Sequence, residues 1–200
     1  MGVDVDADAT TGFTPPRLTD GVVVLRLVAE RDAPAMTTGL SEEGTVPWFP
    51  SLPHPWDPAE TTRLIRDVTP AGWRTGTELW LAIADPATDE FLGEVGLREV
   101  HLEARRGEIG YWLMPVARGR GAMQRALRLY LAWVFDELGL HRIDWTAMVG
   151  NRASRATAEA VGFRYEGTRR RRMHRRYDDT WHDEDVMGLL RSDWDRDAED

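Results

Sequence analysis

Between residues 107 and 149 the chain reads strand, glycine-rich turn, long helix, strand, and that unit restricts the fold more than any other stretch. Gly107–Leu113 is a strand stopped by Pro115. Gly121–Leu138 has a helical period, with Met123, Leu127, Tyr130, Leu131, Val134 and Leu138 on one stripe and Gly139 as the C-terminal cap. Arg142–Val149 is the next strand. Upstream, Val22–Leu27 reads as the first strand and Ala33–Leu40 as a helix. Asp57 and Pro58 open a second helix running toward Val68. Trp80–Ala84 and Phe91–Leu97 flank the turn residues 85–90 and make a hairpin. Asn151 caps a helix ending near Gly162, and Phe163–Met173 and Trp181–Leu190 form a last strand pair. The order predicts one α/β domain around a mixed sheet.

Length and composition agree with one domain: 200 residues, 42% of them hydrophobic. No apolar run approaches the roughly 18 residues of a membrane span, so no membrane partner is expected. Residues 1–20 read as an acidic disordered leader without signal-peptide features, 21–195 as the folded domain and 196–200 as an acidic tail. There is no cysteine, which excludes disulfides, thiolate nucleophiles and cysteine-based zinc sites and fits a cytoplasmic protein. His141 and His182 have no metal-ligand spacing, so no metal is expected. A net charge of -9 argues against a general nucleic-acid binder. All 25 basic residues are Arg, so the folded chain offers no lysine for its own acylation.

The turn Arg118-Gly119-Arg120-Gly121-Ala122-Met123 has the chemistry of a pyrophosphate site. Two glycines let backbone approach a bulky anion, the helix start aims amides at it, and two Arg add charge. An ordinary basic strand-to-helix turn is the alternative. Neither the dinucleotide fingerprint nor the P-loop lysine is present.

This turn resembles the Q/R-x-x-G-x-G/A loop of the GNAT superfamily, with Arg118, Gly121 and Met123 at its three marked positions; Met departs from the general pattern and is similar to residues of the Rim-type branch. Gly107–Leu113, the pair Gly150–Ser154 and Glu159–Phe163, and the ending Leu189–Trp194 resemble further Rim-type segments, covering Val22 to Trp194. The resemblance implies a GNAT fold: a mixed six- to seven-stranded sheet, flanked by helices and splayed between the fourth strand (Gly107–Leu113) and the fifth (Arg142–Val149). It implies acetyl-CoA, or another acyl-CoA, as cosubstrate and an amine acceptor, whether peptide, protein or small molecule, that attacks the thioester directly. Pantetheine would bond fourth-strand backbone at Trp112, Leu113 and Met114, with an amide of Leu113 or Met114 polarising the thioester carbonyl. Asn151 would bond pantetheine, Ser154 would assist the departing thiolate, and Arg155 would join the cofactor site. A homodimer follows from the same resemblance, together with nine Trp residues.

An amine with pKa near 10.4 must lose a proton, and a carboxylate can take it directly or through water. Glu108 is the first candidate, since strand alternation puts it on one face with Gly110 and Trp112; Glu94 is the second. Solvated or structural carboxylates are the alternative for both. Tyr111 and Tyr165 could replace Ser154 as acid or serve as core aromatics. Trp48, Phe49, His54 and Trp56 sit in a proline-rich loop and could wall an acceptor site or pack in the core. The run Arg169–Arg176 reads as a cross-strand charge ladder, a nucleic-acid patch or a groove for acidic peptides. Other acyl groups, an antibiotic-like acceptor and a non-catalytic acyl-CoA-binding domain are competing functions.

Overall fold

A computed structural model describes residues 12–197, with side chains through Trp194. Eight strands form one sheet in the order β1-β2-β3-β4-β5-β6-β8-β7. They are β1 Leu18–Thr19, β2 Val24–Arg26, β3 Leu79–Ala84, β4 Phe91–His101, β5 Arg106–Leu113, β6 Arg142–Met148, β7 Arg164–Arg175 and β8 Thr180–Leu190. Neighbours are antiparallel except β5 and β6, which run parallel around the helix that connects them. The sheet is mixed and helix-flanked as predicted, with one strand more than the upper count. The extra strand is β1, two residues too short to show a period. It pairs with β2, and Phe13 donates its amide to the Trp73 carbonyl, so the folded part starts ahead of residue 21. The leader's first eleven residues and the last three of the tail lie outside the described residues.

The helices are α1 Ala33–Leu40, α2 Pro58–Arg63, α3 Thr69–Thr75, α4 Ala122–Asp136, α5 Arg152–Glu159 and α6 Arg191–Asp197. Asp57 caps α2, its carboxylate accepting from the Ala59 amide. A π-helical stretch, Leu64–Val68, then carries the chain into α3, which the sequence reading missed. One face of the sheet packs on α4, where Leu127, Tyr130, Leu131 and Val134 are fully buried. The other face carries α1 and α2 over a smaller core that includes Trp56, Phe91 and Trp112.

On that second face the β3–β4–β5 register builds a floor. Trp80 lies opposite Gly96, which lies opposite Gly110. A Cβ on Gly96 or Gly110 would come within 2.6 or 2.7 Å of the Trp80 side chain. The two glycines therefore leave a flat bed for one indole.

Candidate active site

The parallel ladder between β5 and β6 ends at Ile109–Trp145, although β5 continues to Leu113 and β6 to Met148. Past that point the strands part, and a cleft of about 560 Å³ opens between them. The splay is therefore where it was expected, now counted between the fifth and sixth strands. Met114 donates its amide to the Leu92 carbonyl at 2.8 Å, which removes it from consideration as the polarising donor. Leu92 faces Met114, and antiparallel bonding alternates. The backbone of Leu113 and Tyr111 thus points away from β4, into the gap.

The glycine-rich turn stands at one mouth of the cleft. Gly119 and Gly121 have φ of 73° and 75°, a region that L side chains avoid. A Cβ at either would meet nothing within 4 Å, so conformation, not crowding, demands glycine here. Gly121 is the N-cap of the 15-residue α4, which adds the positive end of a helix dipole. Arg118 is partly committed: it donates to the Leu113 carbonyl and to Thr45 Oγ1 at 2.6 Å, with Glu42 beside it at 3.4 Å. Arg120 is exposed. On the opposite wall, Asn151 caps α5 by accepting from the Ser154 amide at 3.3 Å, and both residues line the cleft. Tyr111 donates its hydroxyl to the Ser154 carbonyl; burial pushes its phenol up to about 12.

A family model described as an acetyltransferase (GNAT) domain matches residues 23–164. The chain belongs to this family. The Rim-type likeness agrees with other matches. RimJ of Mycobacterium smegmatis, solved in complex with CoA-disulfide, is 29% identical with a TM-score of 0.77, covering 89% of this chain and 88% of that one. YdaF of Bacillus subtilis (strain 168), which carries the name of a ribosomal N-acetyltransferase, is 34% identical over 51% of this chain and 55% of its own length. YjcK of the same organism is 32% identical over 58% of this chain and 64% of its own. The chain thus spans between half and two thirds of these curated relatives. A ribosomal-protein-S5-alanine acetyltransferase from Vibrio fischeri shares the fold, with a TM-score of 0.75 over 90% of this chain and 98% of that one.

Within this GNAT cleft, Trp112, Leu113, Arg118, Gly119, Gly121, Ala122, Met123 and Asn151 line the wall, whereas Met114, Arg120 and Arg155 do not. Arg155 lies over the Tyr165 ring, pairs with Glu159 and borders a smaller hollow of about 240 Å³ beyond Asn151. Of the aromatic loop, Trp48 and Phe49 reach the cleft, Phe49 standing edge-on to Trp112. Trp56 is buried in the second core with its indole N–H on Thr61, and His54 faces Tyr177, so neither borders the cleft. Of the nine Trp, Trp48 and Trp181 are exposed, at 39% and 54%; the others are buried or partly buried within this chain, which weakens the aromatic argument for a dimer.

Glu108 is held rather than free. Its Oε1 accepts from Arg98 and, at 2.6 Å, from the Thr146 hydroxyl. Those two partners line the cleft, and Glu108 sits behind them. Glu94 is buried opposite Trp112 and accepts its indole N–H at 2.9 Å. Burial pushes its carboxyl up to about 7, against the lowering effect of that bond. Trp80, Arg98 and Thr146 are among the wall residues that sequence reasoning missed. Their period-2 neighbours carry the only sequence signal, and it shows a strand, not a site. In the basic run, Arg169 pairs with Glu184 across the hairpin, Arg175 with Asp178 and His174 with Asp179. That is the charge-ladder reading in part; Met173 alone of the run borders the cleft. Among the described residues there is no cluster fit to hold a metal and no helix long and apolar enough to cross a membrane.

Proposed function

We propose that this chain transfers the acetyl group of acetyl-CoA to an amine by direct attack, with a protein or peptide amine as the first acceptor class. The observation that carries the reading is the gap between β5 and β6, with a positive-φ glycine turn at its mouth. The CoA-disulfide named for the RimJ structure supports the cosubstrate. The ribosomal names of YdaF and the Vibrio fischeri protein support a protein acceptor.

In this reading the pyrophosphate lies on the amides at the start of α4, and pantetheine extends β5 along the gap-facing backbone of Tyr111 and the Leu113 amide, the Leu113 carbonyl being held by Arg118. The Leu113 amide polarises the thioester carbonyl. The amine nitrogen attacks that carbon, the C–S bond breaks, and the nitrogen's proton passes to water ordered by Thr146 and Glu108. Ser154 stabilises the leaving thiolate. Glu94 is the second candidate for the proton, behind the Trp112 indole. A cytoplasmic location and a homodimer belong to the same reading.

Gly121→Val should lower CoA affinity at least tenfold, about 1.4 kcal/mol, because a β-branched residue cannot hold φ of 75°. Isothermal titration with CoA checks it; unchanged affinity in a folded variant removes the turn from the site. Thiol release from acetyl-CoA in the presence of amines tests the reaction itself. Binding of acetyl-CoA with no turnover on peptides, polyamines or aminoglycosides would leave an acyl-CoA-binding domain.

A further inference from the structure

Among the described residues that line the cleft there is no Asp or Glu, and the charged side chains are two Arg, Arg98 and Arg118. Arg118 belongs to the phosphate-turn end, where it is tied to Thr45 and the Leu113 carbonyl. Arg98 stands at the other end, on the sheet face that carries Trp80 and Trp112. Its side chain is 42% exposed, and its single partner among the described residues is Glu108, at 15%. The carboxylate lies behind and the guanidinium in front. Because the two residues are directly opposite in the β4–β5 register, the ion pair fixes the guanidinium over the sheet and leaves further N–H donors toward the cleft.

We propose that Arg98 is a specificity-determining residue that selects an acceptor amine carrying a carboxylate close to the reacting nitrogen. The inference rests on the acetyl-transfer reading and names the substrate class for it. Trp48, Phe49, Trp80 and Trp112 make the surrounding wall apolar, and a charge entering such a site needs an opposite charge to offset its lost hydration. A polyamine or aminoglycoside finds no carboxylate on that wall and meets Arg98 as a like charge. A single amine with a neighbouring carboxylate presents one group to each end. Glu108, Arg98's partner, precedes Leu113, whose amide meets the thioester in the acetyl-transfer reading, by five residues, about 17 Å along the strand, so the extended Arg98 side chain and the acceptor between its carboxylate and its nitrogen cover that distance together. The carboxylate has two sources, the side chain of an acidic N-terminal residue or the α-carboxylate of a free amino acid.

The test uses the full chain with acetyl-CoA and pentapeptides identical except for a first residue of Asp, Ala or Lys, with free glutamate and spermidine as separate arms. Two readouts are taken: kcat/KM from thiol release, and binding to the CoA-loaded protein from tryptophan fluorescence. Wild type should favour Asp over Lys, or glutamate over spermidine, at least tenfold in both readouts, and the arm with the preference identifies the source. Arg98→Gln, which can still bond Glu108, should flatten the preference, and Arg98→Glu should reverse it. Equal or inverted preference in wild type in both arms, or a preference unchanged in folded Arg98→Gln, overturns the proposal. Binding preference without turnover on any acceptor would instead overturn the acetyl-transfer reading and leave the role of Arg98 standing.

Discussion

Glu108→Gln should slow acetyl transfer by about 10²-fold while CoA affinity stays near wild type, the lower range for loss of a general base. The substitution keeps the shape of the side chain and an oxygen that can accept from Thr146, but it removes the negative charge that holds Arg98. Glu108 does not itself border the cleft, so in the proposed mechanism its effect runs through the Thr146 hydroxyl that it accepts from and the water that this hydroxyl would order. Thr146→Val should therefore reproduce part of the loss, because it cuts that route and leaves the carboxylate in place. For Glu108→Gln the loss should shrink as pH rises toward the amine's own pKa, where more of the acceptor is already neutral. Steady-state rates from pH 6.5 to 9.5 with one peptide acceptor measure both. Full activity of folded Glu108→Gln at pH 7 would take Glu108 out of the reaction and leave Glu94 or water alone.

Folding stability should fall as pH rises from 5 to 8, and Glu94→Gln should remove that part of the dependence. Glu94 is 7% exposed, and burial lifts its carboxyl from 4.5 to about 7. Below 4.5 both folded and unfolded chains keep the proton, and the group costs nothing. Between 4.5 and about 7 the unfolded chain releases the proton first, so folding grows less favourable; above about 7 the full penalty is reached and stays constant. A shift of this size corresponds to about 3 kcal/mol at most. The carboxylate of Asp20, held low by the Val23 and Val22 amides and Arg125, and those of Glu166 and Asp178, held low by Arg142 and Arg175, stay ionised throughout this window, so they do not mask it. Denaturant unfolding of wild type and Glu94→Gln at pH 5 and pH 8 gives the difference of differences. Equal pH dependence in the two proteins would show that Glu94 keeps an ordinary carboxylate pKa in the fold.

Much of the architecture was legible in the chain. The Ala33–Leu40 helix has the boundaries read from its composition, and α4 buries the residues of the predicted stripe except Leu138, which is only partly buried. The β7–β8 hairpin was legible as two runs of about ten residues on either side of a turn at Asp178 and Asp179. The misses have common causes. β1 has two residues, too few for a period. The α2-to-α3 passage is continuous through a π-helical stretch, with Pro70 tolerated at the start of α3. Trp56 and Phe49 occupy the same proline-rich loop, and no local pattern separates the indole that enters the core from the ring that borders the cleft.

What the sequence determined by itself is the strand-turn-helix-strand unit, with glycines where φ must be positive and Asn151 at the start of α5; these depend on neighbours in the chain, so local chemistry suffices. Only the tertiary structure decided which groups meet. Glu108 became the partner of Arg98 and Thr146 because β4 and β6 flank β5 in a given register. The Met114 amide went to Leu92 rather than to the cleft for the same reason. Glu94 acquired its raised pKa because the fold buries it, the bond from the Trp112 indole acting the other way. Register and burial are set by contacts between residues far apart in the chain, and a period-2 pattern shows which face a side chain occupies, not what stands opposite it.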